Sequence, residues 1–273
     1  MKKLIALLLA LVMVVGLVAC GAKEEAAPAA TEAAPAATEA ATEAATEAAT
    51  EAATEAATEA ATEAATEAPV EVAVMTHADY VAAELDSEVV IETYVQNHQS
   101  WWDNKVTVYC QSPDGAYFLY DMVCSEEDAA KLVPGTKIRV TGVKGEWAGE
   151  VEVMDGTFEF VEGGDTFIAE ALDVTDLLTS EELIAHQNEF VAFSGMTVKA
   201  IEYKNGEPGD DIYVTLEKDG AEYSFCVEIY LTGADSAVYT TVGELVAGDV
   251  VDVEGFLYWY EGMNPHITSI TKI

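Results

Sequence analysis

One short pattern of residues occurs twice in this chain. Residues 132–142 read Leu-Val-Pro-Gly-Thr-Lys-Ile-Arg-Val-Thr-Gly, and residues 245–255 read Leu-Val-Ala-Gly-Asp-Val-Val-Asp-Val-Glu-Gly. In each copy a glycine turn leads into alternating residues, which is typical of a strand with one buried face. Glycines recur at the same intervals in both copies: Gly135, Gly142 and Gly149, and Gly248, Gly255 and Gly262. The repetition predicts an internal duplication, and the later glycines suit bulges and tight connections.

The residues around the repeated pattern show the same order of elements in both halves. Each half begins with a short predicted helix, capped at Thr76 in the first and within residues 178–182 in the second. Strands are predicted at 89–95, 106–110 and 117–120, and again at 190–198, 212–217 and 223–227. Asp-Gly turns join the second and third strands of each set. A helix beginning near Ser125 precedes the repeated pattern in the first half, and a final strand at 266–271 closes the second.

Three strands, a helix and two strands is the order of the OB-fold, and the doubled pattern resembles tandem OB-fold domains. We therefore predict a mainly β fold with two tandem five-stranded OB-like Greek-key barrels, at residues 71–163 and 164–273. Two packed β-sandwiches are the alternative. The resemblance implies that ligands bind across strands two and three, between the loops joining strands one and two and strands four and five.

The N-terminal segment is typical of an exported protein. Two lysines and an apolar run make residues 1–19 a predicted signal peptide, too short to span a membrane as a helix. Residues 17–21, Leu-Val-Ala-Cys-Gly, resemble the lipobox of bacterial lipoproteins. That resemblance implies a lipid on Cys20 and an anchor at the outer face of the cytoplasmic membrane or the cell surface. An ordinary signal with an incidental cysteine is the alternative.

Residues 20–70 combine this anchor with a low-complexity stalk of alanine, threonine and glutamate. Alanine buries too little surface to offset chain entropy, so we expect no core in this segment. Both a disordered chain and a frayed helix are compatible with the composition. The stalk would hold the folded part away from the membrane.

The chain is strongly acidic, with 50 Asp and Glu against 12 Lys and Arg and a formal net charge of −38. Proteins that bind nucleic acid neutralise phosphates with lysine and arginine, so the sequence predicts nucleic acid to be an unlikely partner.

The chain contains three cysteines besides Cys20. Cys110, Cys124 and Cys226 lie in or beside apolar runs and are predicted to be buried thiols, with a Cys110–Cys124 disulfide as the alternative.

Aromatic residues in two predicted loops form the main candidate site. Trp101 and Trp102 lie between strands one and two, and Trp147 lies between strands four and five. Adjacent residues cannot both enter one core, so at least one of the pair should be exposed. If the three rings meet, they form a stacking platform for a sugar, a peptide side chain or a hydrophobic anchor, with His98 nearby. The alternative is that the tryptophans plug the ends of a barrel.

Two weaker candidate sites lie in the second half. The matching loop holds Tyr258, Trp259 and Tyr260, with Tyr260 equivalent to Trp147 by glycine spacing, and core packing is the alternative role. Glu207, Asp210 and Asp211 lie in an acidic loop that could bind Ca²⁺, although it lacks the alternating carboxylates of an EF-hand and also suits a solvated turn. No other cofactor is predicted.

The sequence contains no nucleophile elbow, phosphate loop, zinc pair or cysteine–histidine dyad, so an enzyme is the less favoured class. We predict a membrane-anchored, non-catalytic binding or adaptor module for a glycan, a peptide or an envelope protein. A metal-dependent extracytoplasmic hydrolase or nuclease accessory is one alternative, and a passive envelope spacer is another.

Overall fold

The computed structural model describes residues 73–273, which belong to one compact unit. The predicted signal peptide, Cys20 and the stalk before residue 73 lie outside the described residues. None of the helices within residues 73–273 has the length and apolar character needed to cross a membrane.

The first half folds into a closed five-stranded barrel. Its strands are β1 Glu88–His98, β2 Lys105–Ser112, β3 Gly115–Val123, β4 Lys137–Trp147 and β5 Glu150–Phe160. Neighbouring strands follow the order β1-β2-β3-β5-β4, and β4 pairs with β1 to close the sheet. Helix α1 (His77–Ala82) precedes the barrel, and α2 (Glu126–Ala129) lies between β3 and β4. This is the predicted order of elements.

The second half repeats that topology. Its strands are β6 Leu172–Asp173, β7 Phe190–Tyr203, β8 Ile212–Lys218, β9 Ala221–Val227, β10 Val250–Phe256 and β11 His266–Lys272. Strands β7 to β11 follow the same neighbour order as the first barrel, and β10 pairs back onto β7, while β6 adds to the edge of β7. Two 3₁₀ helices, Thr175–Leu177 and Glu181–His186, precede β7, and helices α3 (Ile229–Thr232) and α4 (Ala237–Glu244) separate β9 from β10. The prediction of tandem barrels is confirmed, and the sandwich alternative is excluded.

The repeated pattern occupies equivalent places in the two barrels. Ile138 and Val140 face the first core, and Val251 and Val253 face the second, as the alternation predicts. Local capping also follows the sequence, because the side chain of Thr76 accepts the Asp79 backbone N–H in a capping box at the start of α1.

Two equivalent glycines lie at β-bulges. The register of β4 with β5 shifts beside Gly142, and that of β10 with β11 shifts at Gly255. A Cβ at Gly255 would collide with the carbonyl oxygen of His266, and one at Gly142 would lie 2.8 Å from that of Met154. The bulges therefore bring a partner strand too close for any side chain, which explains why the glycine spacing repeats.

The connection between the barrels packs on the first of them. The Gln96 side chain accepts from the backbone N–H of Ala169 at 2.8 Å and donates to the Phe167 carbonyl oxygen at 3.1 Å. The Phe167 ring also contacts Tyr94, with centroids 5.8 Å apart. The second sheet then begins at β6.

Among the described residues, Cys110, Cys124 and Cys226 are free and buried. Burial raises the pKa of the Cys124 thiol to about 11, and it also raises the pKa values of Cys110 and Cys226. These thiols therefore behave as small apolar side chains, as predicted, and the Cys110–Cys124 disulfide is not formed.

Replacement of Lys144 by methionine should destabilise the first barrel. The buried Lys144 Nζ donates to the carbonyl oxygens of Tyr80, Val81 and Ala83 at the end of α1, at 2.8–3.0 Å. Loss of this donor leaves buried acceptors unpaired, so we expect the free energy of unfolding to fall by about 3 kcal/mol in urea titrations. The control Lys199→Met, which breaks an exposed pair with Glu217, should cost less than about 1 kcal/mol. Equal effects of the two substitutions would contradict this role.

Candidate binding site

The second barrel covers the outer face of β2 and β3. Tyr109 and Phe118 point out of the first barrel, yet both are buried in a cluster with Leu231 and Phe256 of the second barrel. The rings of Tyr109 and Phe256 stack with centroids 4.5 Å apart. The surface on which the OB-fold resemblance places a ligand is therefore closed over much of its length.

A buried hydrogen bond accompanies this apolar contact. Burial lowers the pKa of His266 to about 3 and raises that of Tyr109 well above its usual value, so both groups are neutral. The Tyr109 hydroxyl and His266 Nδ1 share a buried hydrogen bond of 2.6 Å. The Gln111 side chain adds a second link by accepting from the Phe190 backbone N–H at 2.8 Å.

An open groove remains at one end of the covered face. It encloses about 540 Å³ and is bordered by the loop between β1 and β2 and by α3 of the second barrel. Trp102 and Tyr230 lie on its walls with 80% and 61% of their surface exposed. The two barrels thus each contribute one exposed aromatic ring to the same groove.

Of the two adjacent tryptophans, Trp101 packs against the barrel core and Trp102 is exposed. Trp101 is half-buried against the first core, and its Nε1 donates to the Cys124 carbonyl oxygen at 2.9 Å. Trp102 is exposed, and a two-residue turn follows it. Asp103 and Asn104 adopt left-handed backbone conformations, with φ of 48° and 61°, and Trp102 and Lys105 exchange backbone hydrogen bonds across the turn. The turn fixes the backbone from which the exposed indole projects.

Tyr230 is a groove residue that no sequence pattern indicated. The Glu228 side chain caps α3 by accepting from the backbone N–H groups of Tyr230 and Leu231, at 3.1 and 2.7 Å. Ser100 then donates its backbone N–H to the Tyr230 carbonyl oxygen at 2.7 Å, which joins the loop of the first barrel to α3. The local signal is an acidic cap before a short helix, but only the contact with Ser100 reveals the groove.

Trp147 does not line the groove. Its ring lies against Tyr260, with centroids 5.2 Å apart, and the Glu261 backbone N–H donates to the Ala148 carbonyl oxygen at 2.7 Å. The predicted meeting of Trp147 with the other two tryptophans is therefore not observed. Its loop packs instead on the equivalent loop of the second barrel, so residues matched by glycine spacing are also neighbours in space.

The remaining aromatic and histidine candidates lie in packed positions. His98 Nδ1 donates to the Gln99 carbonyl oxygen at 2.7 Å, and His98 is not part of the groove lining. Tyr258 stacks on His266 at 4.2 Å within the contact between the barrels. The Trp259 backbone N–H donates to Glu150 Oε2 at 2.8 Å. Of the sequence candidates, the structure brings only Trp101 and Trp102 together at an open surface with Tyr230.

The acidic loop of the second barrel uses its carboxylates internally. Lys204 Nζ lies 2.9 Å from Asp211 and 3.3 Å from Asp210, and the Ile229 backbone N–H donates to Asp211 Oδ1 at 3.0 Å. Glu207 is exposed. Within residues 73–273 no group of three or more His, Cys, Asp or Glu side chains could hold a metal ion. The structure thus gives Asp210 and Asp211 partners other than Ca²⁺.

No protein-family model and no curated protein matches this chain. Solved structures with a similar fold include a murine DNA binding protein bound with double-stranded DNA, at 10% identity and a TM-score of 0.34 over 67% of this chain and 95% of the other. The p202 HIN1 domain in complex with a 12-mer duplex matches at 8% identity, a TM-score of 0.33, and coverage of 67% and 92%. The Ifi202 HINa domain in complex with a 20-bp DNA duplex matches at 9% identity with a TM-score of 0.33, over 68% of this chain and 98% of the other.

These matches contradict the prediction that nucleic acid is an unlikely partner, because all three were solved with DNA. The prediction used summed charge alone. Phosphate contacts depend instead on the side chains of the contacting surface, which total charge does not describe. The prediction that nucleic acid is an unlikely partner is therefore wrong.

Removal of the Tyr109 hydroxyl should weaken the contact between the barrels. In Tyr109→Phe the buried Nδ1 of His266 loses its hydrogen-bond partner, so we expect the free energy of unfolding to fall by about 2 kcal/mol. Tyr213→Phe, at a site 40% exposed on the second barrel, is the matched control and should change stability by less than about 0.5 kcal/mol. Chemical denaturation of both variants measures the difference, and an unaffected Tyr109→Phe protein would show that the bond contributes nothing.

Proposed function

We propose that this protein is a non-catalytic binding module that holds a glycan in the groove between Trp102 and Tyr230. The observation that carries the proposal is the pair of exposed aromatic rings, one from each barrel, on a groove of about 540 Å³. Exposed aromatic rings beside a concave surface are the usual anchors of binding sites. The groove also lies at the end of the β2–β3 face and beside the β1–β2 loop, where OB-folds bind oligonucleotides and oligosaccharides.

The groove lining matches the two surfaces of a sugar ring. The apolar C–H faces of a sugar can stack on the indole of Trp102 and the phenol of Tyr230. Polar side chains also line the groove, among them Gln99, Ser100 and Thr107. They supply donors and acceptors for sugar hydroxyls, so a few polar groups orient a ligand whose main contact is aromatic.

We further propose that lipid on Cys20 anchors the module and that residues 20–70 act as its stalk. The supporting features are the apolar leader, the lipobox-like residues 17–21 and the Ala/Thr/Glu repeat. In this arrangement the barrels bind an envelope glycan outside the cytoplasmic membrane. Anchoring would restrict the module to ligands within reach of the stalk.

Truncation of either groove ring should weaken glycan binding. We expect Trp102→Ala and Tyr230→Ala each to lower affinity by a factor of about 5 to 30, because an aromatic anchor contributes on the order of 1–2 kcal/mol. A glycan array selects the oligosaccharide, and calorimetry with that oligosaccharide measures the change. Trp147→Ala removes an indole that is 55% exposed outside the groove and should retain wild-type affinity.

The same assay should include a proline-rich peptide and a DNA duplex as separate probes. If the wild type binds the peptide or the DNA but no glycan, and Trp102→Ala loses that binding, then the groove is the binding site and the glycan assignment is wrong. Retention of glycan binding in both groove variants would refute the assignment of the site.

Replacement of Cys20 by serine should release the protein from membranes. The serine hydroxyl cannot carry the thioether-linked lipid that we propose as the anchor. Cell fractionation should find the wild type in the membrane pellet and Cys20→Ser in the soluble fraction. Mass spectrometry of an unlipidated wild-type N-terminus would contradict the anchor.

A further inference from the structure

Two carboxylates are buried in the contact between the barrels. Along β5, Val151 and Val153 face the first core, whereas Glu150 and Glu152 alternate with them and face outward. The second barrel covers that outward face, leaving Glu150 0% and Glu152 5% exposed. Acidic side chains are rarely buried to this extent without a cationic partner.

The contacts of Glu150 cross from one barrel to the other. Its Oε2 accepts the Trp259 backbone N–H at 2.8 Å and the Gln187 Nε2 at 3.2 Å. Its Oε1 is buried without a partner, and so is Oδ1 of Asn188, whose side chain lies beside Glu150. Carboxylate and amide oxygens only accept, so a proton on Glu150 supplies the donor that this arrangement lacks.

Within the described residues neither carboxylate has an ion-pair partner, and the buried Lys144 of the paired strand β4 donates instead to the carbonyl oxygens of Tyr80, Val81 and Ala83. None of the ion pairs within residues 73–273 includes Glu150 or Glu152. The nearby titratable groups are Tyr80 from α1, Tyr109 from β2, Asp121 from β3, Tyr258 from the β10–β11 connection and the neutral His266 from β11. Burial is the main cause that raises the pKa of Glu150 to about 8 and that of Glu152 to about 7.

We propose that Glu150 and Glu152 form a proton-operated joint between the two barrels, closed when both side chains are uncharged and loosened when they ionise. The folded state holds these protons more tightly than the unfolded chain, whose glutamates titrate near 4.5. The stabilising effect is therefore complete below about pH 4.5 and is lost as the pH rises through about 7 to 8. Two adjacent negative charges without a cation then oppose the contact.

The joint also controls the groove, a consequence that depends on the proposed function. Trp102 belongs to the first barrel and Tyr230 to the second, with Ser100 bonded to the Tyr230 carbonyl oxygen between them. Loosening of the barrels separates the two rings. Ligand affinity should therefore fall as Glu150 and Glu152 lose their protons.

Spin labels on the two barrels test the joint without any ligand. Val81 of α1 and Val246 before β10 are 59% and 63% exposed, and the native cysteines of the described region are buried. The full-length protein carries Cys20→Ser, Val81→Cys and Val246→Cys, with a spin label on each of the two new cysteines. Pulsed electron paramagnetic resonance then measures the distance between the two labels from about pH 6 to pH 9. We expect a narrow distribution that broadens and lengthens with a midpoint between about pH 7 and 8.

Isosteric substitutions assign this response to the two carboxylates. The added changes Glu150→Gln and Glu152→Gln should remove the pH response, whereas Glu146→Gln, on an exposed residue of the same hairpin, should keep it. An unchanged distribution in the parent protein across this range would overturn the proposal, even if the double variant failed to fold. So would a pH response that survives in the folded double variant.

Affinity for the array-selected oligosaccharide provides a separate measurement. Wild-type affinity should fall about tenfold between about pH 6 and pH 9, and the double variant should stay constant. If no ligand binds the groove, the distances between the spin labels still test whether the contact between the barrels loosens with pH. If the distances change while affinity does not, the joint stands and its control of the groove is refuted.

Discussion

The burial of Tyr109 and Phe118 between the barrels is the contact on which the other features depend. A closed barrel satisfies its own backbone hydrogen bonds, but it leaves the outward side chains of β2 and β3 without cover. Phe256 and Leu231 of the second barrel provide that cover. The rings of Tyr109 and Phe256 stack within this contact, and the hydrogen bond between Tyr109 and His266 links one barrel to the other.

This contact moves the expected binding surface. In a single OB-fold the whole β2–β3 face is open to a ligand. Here the second barrel occupies the middle of that face, and the open part is the end where the β1–β2 loop meets α3. The groove is therefore a property of the pair, because one of its two exposed rings is Trp102 and the other is Tyr230.

The same contact removes Glu150 and Glu152 from water. Desolvation disfavours the charged form of a carboxylate, and no cation compensates within the described part of the chain. The apolar cluster stabilises the pair of barrels at any pH, whereas the carboxylates make their contribution depend on protonation. The surface between the barrels thus combines an apolar contact that does not depend on pH with buried carboxylates that titrate.

Local physical rules made much of the fold predictable from the sequence. Alternation placed Ile138, Val140, Val251 and Val253 in the cores, and the glycine spacing located the bulges at Gly142 and Gly255. Trp102 could be expected at the surface because two adjacent residues cannot share one core. Each of these inferences involves residues a few positions apart, where backbone geometry dictates which way side chains point.

The sequence by itself therefore determined the elements, their order and the duplication. Only the tertiary structure decided that Tyr230 faces Trp102, that Trp147 packs on Tyr260 and that Glu150 is buried. These outcomes depend on how two separately closed barrels dock. Docking joins residues about 110 positions apart in sequence, such as Glu150 and Trp259, and no local periodicity records such a contact.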